Sequence, residues 1–327
     1  MTQDEAAQPS RSLSSPEPAL TASGFVTGHF PSRKASVVAL GALIGFLLTV
    51  VWSAEFVDSV IGDNVANAML GHDAKATPIT GALAGVTFAF VSGLAGTFTA
   101  CNIAAFGAVA PLLGEKSSRR RRVRQALRPI MWLSVGMLVV SSAYGAIIGL
   151  VGTRMPQFDT TSEPGVMSGR LIQAMVVFGV LGLVMLWVGL AAVGVLPDPL
   201  GPAARRWPNT PMIFMGAVIG AFLVGRPFPL FRQMFRDAAE SGDPLYGAVA
   251  FSLQSIGNIF VLAVLFVGVT FFFGARIQRW LSAEPTRTAK IITVSMVTAG
   301  VFLVLYWNVR ILTYFDVIPW YPLAPWV

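Results

Sequence analysis

The fold is decided by residues 171–196, which read LIQAMVVFGVLGLVMLWVGLAAVGVL and include no charged side chain. An α-helix needs about 20 apolar residues to cross the hydrocarbon core of a bilayer, and this segment is long enough. The whole chain has the same character, since 54% of its residues are hydrophobic and only 12% are charged. Soluble domains carry about 25% charged residues. The sequence therefore predicts an all-α integral membrane protein.

Further apolar segments bring the prediction to seven transmembrane helices. Their bounds are 35–56, 78–113, 130–151, 171–196, 212–231, 246–273 and 291–314. The second segment is too long for one straight crossing, so it either bends or continues along the membrane surface. The fifth contains Arg226, Pro227 and Pro229, and every later helix would change orientation if the fifth did not cross. The predicted divisions are a tail (1–34), an extra helix (35–57), a six-helix domain (78–314) and a second tail (315–327).

Basic residues fall mainly on one side of this arrangement. Short cytoplasmic loops are enriched in lysine and arginine, and most of the 23 basic residues lie in the N-terminal tail or after predicted helices two, four and six. The exceptions, outside or within helices, are Lys75, Arg154, Arg170, Arg226, Arg232, Arg236 and Arg310. This pattern predicts a multi-pass protein of the inner or plasma membrane, with a cytoplasmic N-terminus and an extracytoplasmic C-terminus. Four consecutive arginines at 119–122 are interpreted as a topology determinant that contacts anionic lipid, and not as a nucleic-acid site.

The two tails differ in composition. Residues 1–34 are rich in Ser, Pro, Ala and Thr, which favours a disordered cytoplasmic segment, and they lack the pattern of a secretory signal. The C-terminal tail places Trp320, Tyr321 and Trp326 just after the last helix. Aromatic residues collect at the membrane interface, so we interpret them as anchors. Docking of a partner protein is the alternative.

Several activities lack the residues that they require. The sequence contains no Gly-rich phosphate loop followed by Lys-Ser/Thr, which argues against ATP-driven transport by this chain alone. Two histidines and one cysteine do not make a familiar zinc or haem site within one chain. We therefore predict no metal and no cofactor.

Polar residues inside predicted helices two and five indicate a candidate site. Thr97, Thr99, Cys101 and Asn102 lie in a run of small residues at membrane depth, where polar groups face the protein interior or a wet cavity. In helix five, prolines 227 and 229 should break the helix beside Arg226. Arg226 then either belongs to a functional site or extends to the outer surface.

Three short motifs resemble the transmembrane region shared by CcdA-type cytochrome c biogenesis proteins and the thiol-reductant carrier DsbD. The segment GLAGTFTAC at 93–101 is similar to the family's first cysteine motif, with Ala100 where proline would stand. Pro227 and Phe228 occupy the place of its Pro-Cys, and GDPLYGA at 242–248 is similar to a turn between helices four and five. The resemblance covers about residues 80–312 and implies a six-helix core of two inverted three-helix repeats.

The resemblance implies a thiol-disulfide electron carrier, which is not an enzyme in the strict sense. In that family a cysteine pair accepts electrons from cytoplasmic thioredoxin and passes them to an extracytoplasmic thiol partner through mixed disulfides. This chain has Cys101 as its single cysteine, with Phe228 in the second position. A redox role in cytochrome c biogenesis or thiol assembly therefore requires a partner, thioredoxin-like or a haem-protein assembly factor, to supply the second sulfur.

Two other functions remain open. In a small-solute or ion transporter, the broken helices would form a cavity near the bilayer midplane. Its predicted lining is Thr97, Thr99, Asn102, Arg226, Pro227, Phe228, Gln254 and Asn258. Alternatively, the chain is a non-catalytic subunit of a membrane complex that uses its small-residue faces for packing.

Cys101 itself has three interpretations. Free cysteine is among the most buried residue types, so Cys101 could be a small core residue. It could instead pair with a cysteine of another chain, or bind a soft metal or form a sulfenic acid.

Overall fold

The computed structural model describes residues 24–53, 63–73, 81–95, 119–159, 166–225 and 229–326. These residues form ten α-helices and no strand, which confirms the predicted all-α class. The helices are α1 (Lys34–Val51), α2 (Asn64–Leu70), α3 (Ala82–Ala95), α4 (Arg119–Val151), α5 (Gly169–Ala192), α6 (Gly201–Arg206), α7 (Thr210–Gly225), α8 (Pro229–Ser241), α9 (Pro244–Ser282) and α10 (Thr286–Val304). Short 3₁₀ turns at Gly152–Arg154 and Pro156–Phe158 follow α4, and a π-turn (Leu305–Val309) and a 3₁₀ turn (Arg310–Phe315) follow α10.

Five helical segments are long and apolar enough to cross a membrane. They are Lys34–Val51, Leu127–Arg154, Gly169–Ala192, Pro244–Ser282 and Thr286–Phe315. Helices α3 and α7 are apolar but shorter, at 14 and 16 residues, and they occupy the places of predicted helices two and five. The prediction of membrane helices is thus confirmed for five segments. The total of seven stays a prediction.

Several helix ends differ from the sequence prediction. The arginine-rich segment expected as a loop is the first part of α4, which begins at Arg119 and not at residue 130. Arginine is a good helix former, so the helix continues beyond the apolar span. The last span, predicted as continuous to residue 314, changes from α-helix to π- and 3₁₀-turns after Val304.

Helices α4 and α9 form an extensive antiparallel pair. Gly145 of α4 lies against Gly247 of α9, and Gly149 lies against Asp243, so residue numbers fall along one helix as they rise along the other. Glycine at these positions lets the two backbones approach closely, as is common for helix pairs in membranes.

Two further pairs flank this one, because α3 packs on α9 and α7 packs on α4. Each flanking pair uses one glycine from each helix, and a Cβ atom at any of the four would collide with the partner backbone. The contacts are Gly93 with Gln254 and Gly257 with Phe90 in the first pair, and Gly136 with Ile213 and Gly216 with Leu133 in the second. Gly85 also lies against Tyr246 in the first pair, and Gly220 lies against Met137 in the second. From Gly85 to Gly93 the partner number rises from 246 to 254, and from Gly216 to Gly220 it rises from 133 to 137, so both pairs are parallel.

The other three contacts fix the remaining directions. Helix α10 runs antiparallel to α5, with Gly179 beside Asn308 and Gly189 beside Val297, and α1 runs parallel to α10. The start of α5 meets the ends of α4 and α7, because Gln173 donates hydrogen bonds to the Tyr144 hydroxyl and the Val224 carbonyl. Helix direction therefore alternates along the chain through α1, α3, α4, α5, α7, α9 and α10.

Helix α8 is amphipathic and covers one end of the bundle. Phe231, Met234, Phe235 and Ala238 form its buried face at helical spacing, and the arginines and Glu240 lie on the opposite face. Phe235 stacks on Phe251 of α9 with ring centroids 4.7 Å apart. The chain then turns directly into α9.

The end of α1 receives hydrogen bonds from distant residues. The last carbonyls of a helix have no partner within it. In α1 they accept from Arg310 Nη1 at Thr49 (3.1 Å) and Trp52 (3.2 Å), from the Ala324 amide at Val50 (3.0 Å), and from Trp326 Nε1 at Val51 (3.2 Å). The C-terminal tail is thus docked on the extra helix.

Candidate functional site

Most of the predicted site lies outside the described residues. This applies to Thr97, Thr99, Cys101, Asn102, Arg226, Pro227 and Phe228. The predicted contact between broken helices two and five depends on these segments. Within the described residues, α3 packs on α9 and α7 packs on α4, and it is α8 that contacts α3.

Gln254 and Asn258 are described and lie where α9 packs against α3. Gln254 is 1% exposed and Asn258 is 7% exposed. The Gln254 carbonyl and the Asn258 amide both lie against Gly93, two residues before the end of α3. The side-chain Oε1 of Gln254 also accepts a hydrogen bond from Ser255 at 3.4 Å. Two of the predicted residues therefore lie in the part of α9 that contacts Gly93, the first residue of the motif at 93–101.

A separate polar cleft lies where α4, α5, α7 and α8 meet. It is small, with an enclosed space of about 10 Å³. The 3₁₀ turn after α4 contributes Gln157 and Phe158, and the first two turns of α5 contribute Arg170 and Gln173. The other lining residues are Val224 and Gly225 from α7, and Arg232 and Phe235 from α8. The described lining thus carries two arginines and no carboxylate.

A chain of hydrogen bonds fixes the orientation of Gln157. The Tyr144 hydroxyl accepts from Gln173 Nε2 at 2.9 Å and donates to Gln157 Oε1. Gln173 Nε2 also donates to the Val224 carbonyl at 2.7 Å. Because Oε1 of Gln157 is taken, its amide nitrogen must point the other way. That Nε2 atom is buried and has no hydrogen-bond partner within the described part of the chain, and Gln157 as a whole is only 7% exposed.

The arginines of the cleft are close enough to repel each other. Nη1 of Arg170 is buried and has no hydrogen-bond partner among the residues that the structure describes. Burial lowers the pKa of Arg232 from its usual value, and the charges of Arg170 and Arg236 lower that pKa further. The nearby carboxylate of Asp159 accepts a hydrogen bond from the Gly169 amide at 2.7 Å, at the start of α5. The described lining of the cleft therefore combines buried donors that lack an acceptor with two positively charged side chains.

Sequence reasoning did not identify Gln157, Arg170, Gln173 or Arg232 as site residues. A signal was present, because Arg170 and Arg232 belong to the few basic residues that fall outside the predicted cytoplasmic loops. Basic residues that depart from the topology trend require another explanation. Gln157 and Gln173 carry no comparable signal in the sequence.

A scan against protein-family models, a search of curated proteins and a search of solved structures found no match to this chain. The similarity to CcdA and DsbD therefore stays a prediction from the motifs.

Proposed function

We propose that this chain is a small-solute or ion transporter with seven transmembrane helices. Two inverted halves, α3–α5 and α7–α10, would form its core, with α1 as an addition. The observation that carries this proposal is the reciprocal packing of the parallel pairs α3–α9 and α4–α7. In an inverted repeat, α3 corresponds to α7, α4 to α9 and α5 to α10. When the two halves are exchanged, the pair α3–α9 becomes the pair α7–α4. The pairs α4–α9 and α5–α10 are unchanged by this exchange.

The glycine contacts support this correspondence at the level of residues. The close approach of Gly93 and Gly257 in one pair is matched by Gly216 and Gly136 in the other. Each half begins with a helix shorter than the ~20 residues needed to cross, and short interrupted helices at matching places indicate a transport site. Seven helices of alternating direction have their two ends on opposite sides, which the predicted orientation requires.

Topology can be tested with single cysteines in a Cys101→Ser background. We expect Arg121→Cys to be labelled only from the cytoplasmic side and Asp159→Cys only from the outer side. Labelling of both positions from the same side would contradict the seven-helix arrangement.

Transport can be tested in proteoliposomes with a panel of inorganic ions and small organic acids. We expect a saturable flux that Asn258→Ala reduces at least tenfold, because Asn258 lies beside the predicted cavity. The matched control is Phe260→Leu, which changes an exposed side chain on the same helix. A monodisperse wild-type protein that moves none of these solutes faster than empty liposomes would contradict the proposal.

A thiol carrier is the second candidate, and it is favoured by the turn between α8 and α9. Gly242 has a positive φ of 62°, Asp243 accepts from the Leu245 amide at 2.8 Å, and Pro244 begins α9. These residues belong to the segment that resembles the family's turn. We expect no sustained thioredoxin-dependent reduction by the isolated chain, because Phe228 occupies the position of the second sulfur. Turnover beyond one equivalent that is lost in Cys101→Ser would favour the carrier over the transporter.

A further inference from the structure

The geometry points to an anion-binding site in the cleft between Gln157, Arg170 and Arg232, separate from the predicted cavity at Gln254 and Asn258. The group that it would bind is small and negatively charged, such as a halide, a carboxylate or one face of a phosphate. Binding at this site does not require that the chain transports anything.

Gln157 provides the first argument. A buried amide donor without a partner costs about 1–3 kcal/mol, and buried donors are nearly always paired. Here the amide cannot turn to find another partner, since its oxygen is held by Tyr144. Tyr144 is held in turn by Gln173, which is anchored on the Val224 carbonyl. The amide group is therefore held in place, and its Nε2 atom is left without an acceptor among the described residues.

Charge provides the second argument. Arg170 Nη1 is also buried without a partner, and Arg232 lines the same cleft. Two guanidinium groups with no carboxylate in the described lining repel each other, and a bound anion would remove that repulsion. Guanidinium groups bind carboxylate and phosphate oxygens well because of their planar donor geometry. Asp159 accepts a hydrogen bond from the Gly169 amide at the start of α5, and it does not belong to the described lining of the cleft.

Position limits what the occupant can be. The cleft lies at the end of the bundle where α4 ends and α5 begins, which is the outer side in the predicted topology. Its enclosed space of about 10 Å³ has room for one small ion or for a single oxygen of a carboxylate or phosphate, and not for a large solute. A free anion from the outer medium and the phosphate of an anionic lipid share this chemistry.

The test measures thermal stability of the full chain in nanodiscs of zwitterionic phosphatidylcholine. Sodium chloride, sodium acetate and sodium phosphate are titrated separately in a zwitterionic buffer, and their effects are compared at matched ionic strength. A ligand that binds only the folded state raises Tm in a saturable way. We expect at least one of these anions to do so in the wild-type protein.

Three variants assign the effect to the cleft. Arg170→Gln removes one charge, and Gln157→Glu places a carboxylate where the anion would bind. We expect each to weaken anion binding at least tenfold, and Gln157→Glu keeps the side-chain shape so that the protein still folds. Arg154→Gln is the matched control, since this exposed arginine lies three residues from Gln157. The affinity of this variant for the anion should stay within twofold of that of the wild-type protein.

The lipid source is tested by replacing one third of the phosphatidylcholine with phosphatidylglycerol. If lipid phosphate is the natural occupant, the apparent affinity for free anions falls in the wild-type protein because the two compete. If the affinity is unchanged, the occupant is a free anion. Absence of a saturable Tm rise with every anion, in the lipid without phosphatidylglycerol, would show that water fills the cleft and would overturn the site. A loss of anion affinity in Arg154→Gln that equals the loss in Arg170→Gln would also overturn the proposed site.

Discussion

Arg310 and Arg170 lie at the same end of the helix bundle but have different surroundings. Arg310 is 6% exposed, its Nη1 donates to the Thr49 and Trp52 carbonyls, and its guanidinium lies 4.8 Å from the ring centre of Tyr306. Arg170 is part-buried, and its buried Nη1 atom has no partner within the described ranges. A buried cation that is matched by protein acceptors holds the structure together. One that lacks an acceptor indicates a place for a ligand.

The physical origin of the difference is the supply of acceptors. The end of α1 offers carbonyls that have no partner within the helix, and Arg310 satisfies two of them. Arg170 belongs to the first turn of α5, where a helix presents amide donors and not acceptors. We therefore expect that substitution of Arg310 lowers the free energy of unfolding and that substitution of Arg170 does not.

Arg310→Met should give the largest effect. Hydrogen bonds from a charged donor contribute about 1.5–3 kcal/mol each, so loss of two should lower the free energy of unfolding by at least ~3 kcal/mol. Unfolding in mild detergent, followed by tryptophan fluorescence, measures the change. The control Arg276→Met alters an exposed arginine of α9 and should be close to neutral. If Arg310→Met unfolded like this control, the structural role assigned to Arg310 would be wrong.

Tyr321→Phe should give a smaller loss at the same joint. The Tyr321 hydroxyl is 2.5 Å from Thr49 Oγ1, and a neutral hydrogen bond contributes about 1 kcal/mol. Phenylalanine keeps the ring contact with Phe46. The same unfolding assay should therefore show a loss of about 1 kcal/mol, and none for Tyr314→Phe, which changes an exposed tyrosine. A loss equal to that of Arg310→Met would mean that the tail is held differently.

Arg170→Met should change the free energy of unfolding by less than about 1 kcal/mol in anion-free buffer, and in the stabilising direction. Removing a buried donor that has no partner removes a desolvation penalty instead of a bond. In saturating anion the sign should reverse, because only the wild-type protein gains from binding. A loss as large as that of Arg310→Met in anion-free buffer would show that Arg170 is held by protein acceptors.

Glu284→Gln should give the smallest effect, because Glu284 pairs with Arg287 and Lys290 at the protein surface. Hydrogen bonds from Lys290, Thr286 and Arg287 lower the pKa of Glu284 from 4.5 to about 2. A carboxyl group whose pKa is lower in the folded state than in the unfolded state stabilises the folded protein at pH values above the unfolded pKa. The contribution of Glu284 is therefore present above about pH 4.5 and is lost as the pH falls towards 2. The Tm difference between wild type and Glu284→Gln should be slight at pH 7 because exposed ion pairs contribute little. It should shrink below pH 4.5, and a difference that grows there would contradict this assignment.

Much of the helix pattern was predictable from single segments. Residues 171–196 are apolar over a bilayer thickness, and the described helix Gly169–Ala192 matches them closely. The arginines at 119–122 were predicted as a loop because charge marks the end of a membrane span, but the helix begins there. Charge decides where a span ends, whereas backbone hydrogen bonding decides where a helix ends, and the two need not coincide.

By itself, the sequence determined the class of the protein, because a long apolar segment has only one favourable environment. It also singled out Gln254 and Asn258, since polar residues within an apolar helix must face the protein interior. Only the tertiary structure decided that α3 packs on α9 and α7 on α4, through glycines spread along four helices. It also decided which arginine is satisfied and which is not. Whether a donor has an acceptor depends on a partner that comes from another part of the chain, and no local pattern around Arg170 or Arg310 contains that information.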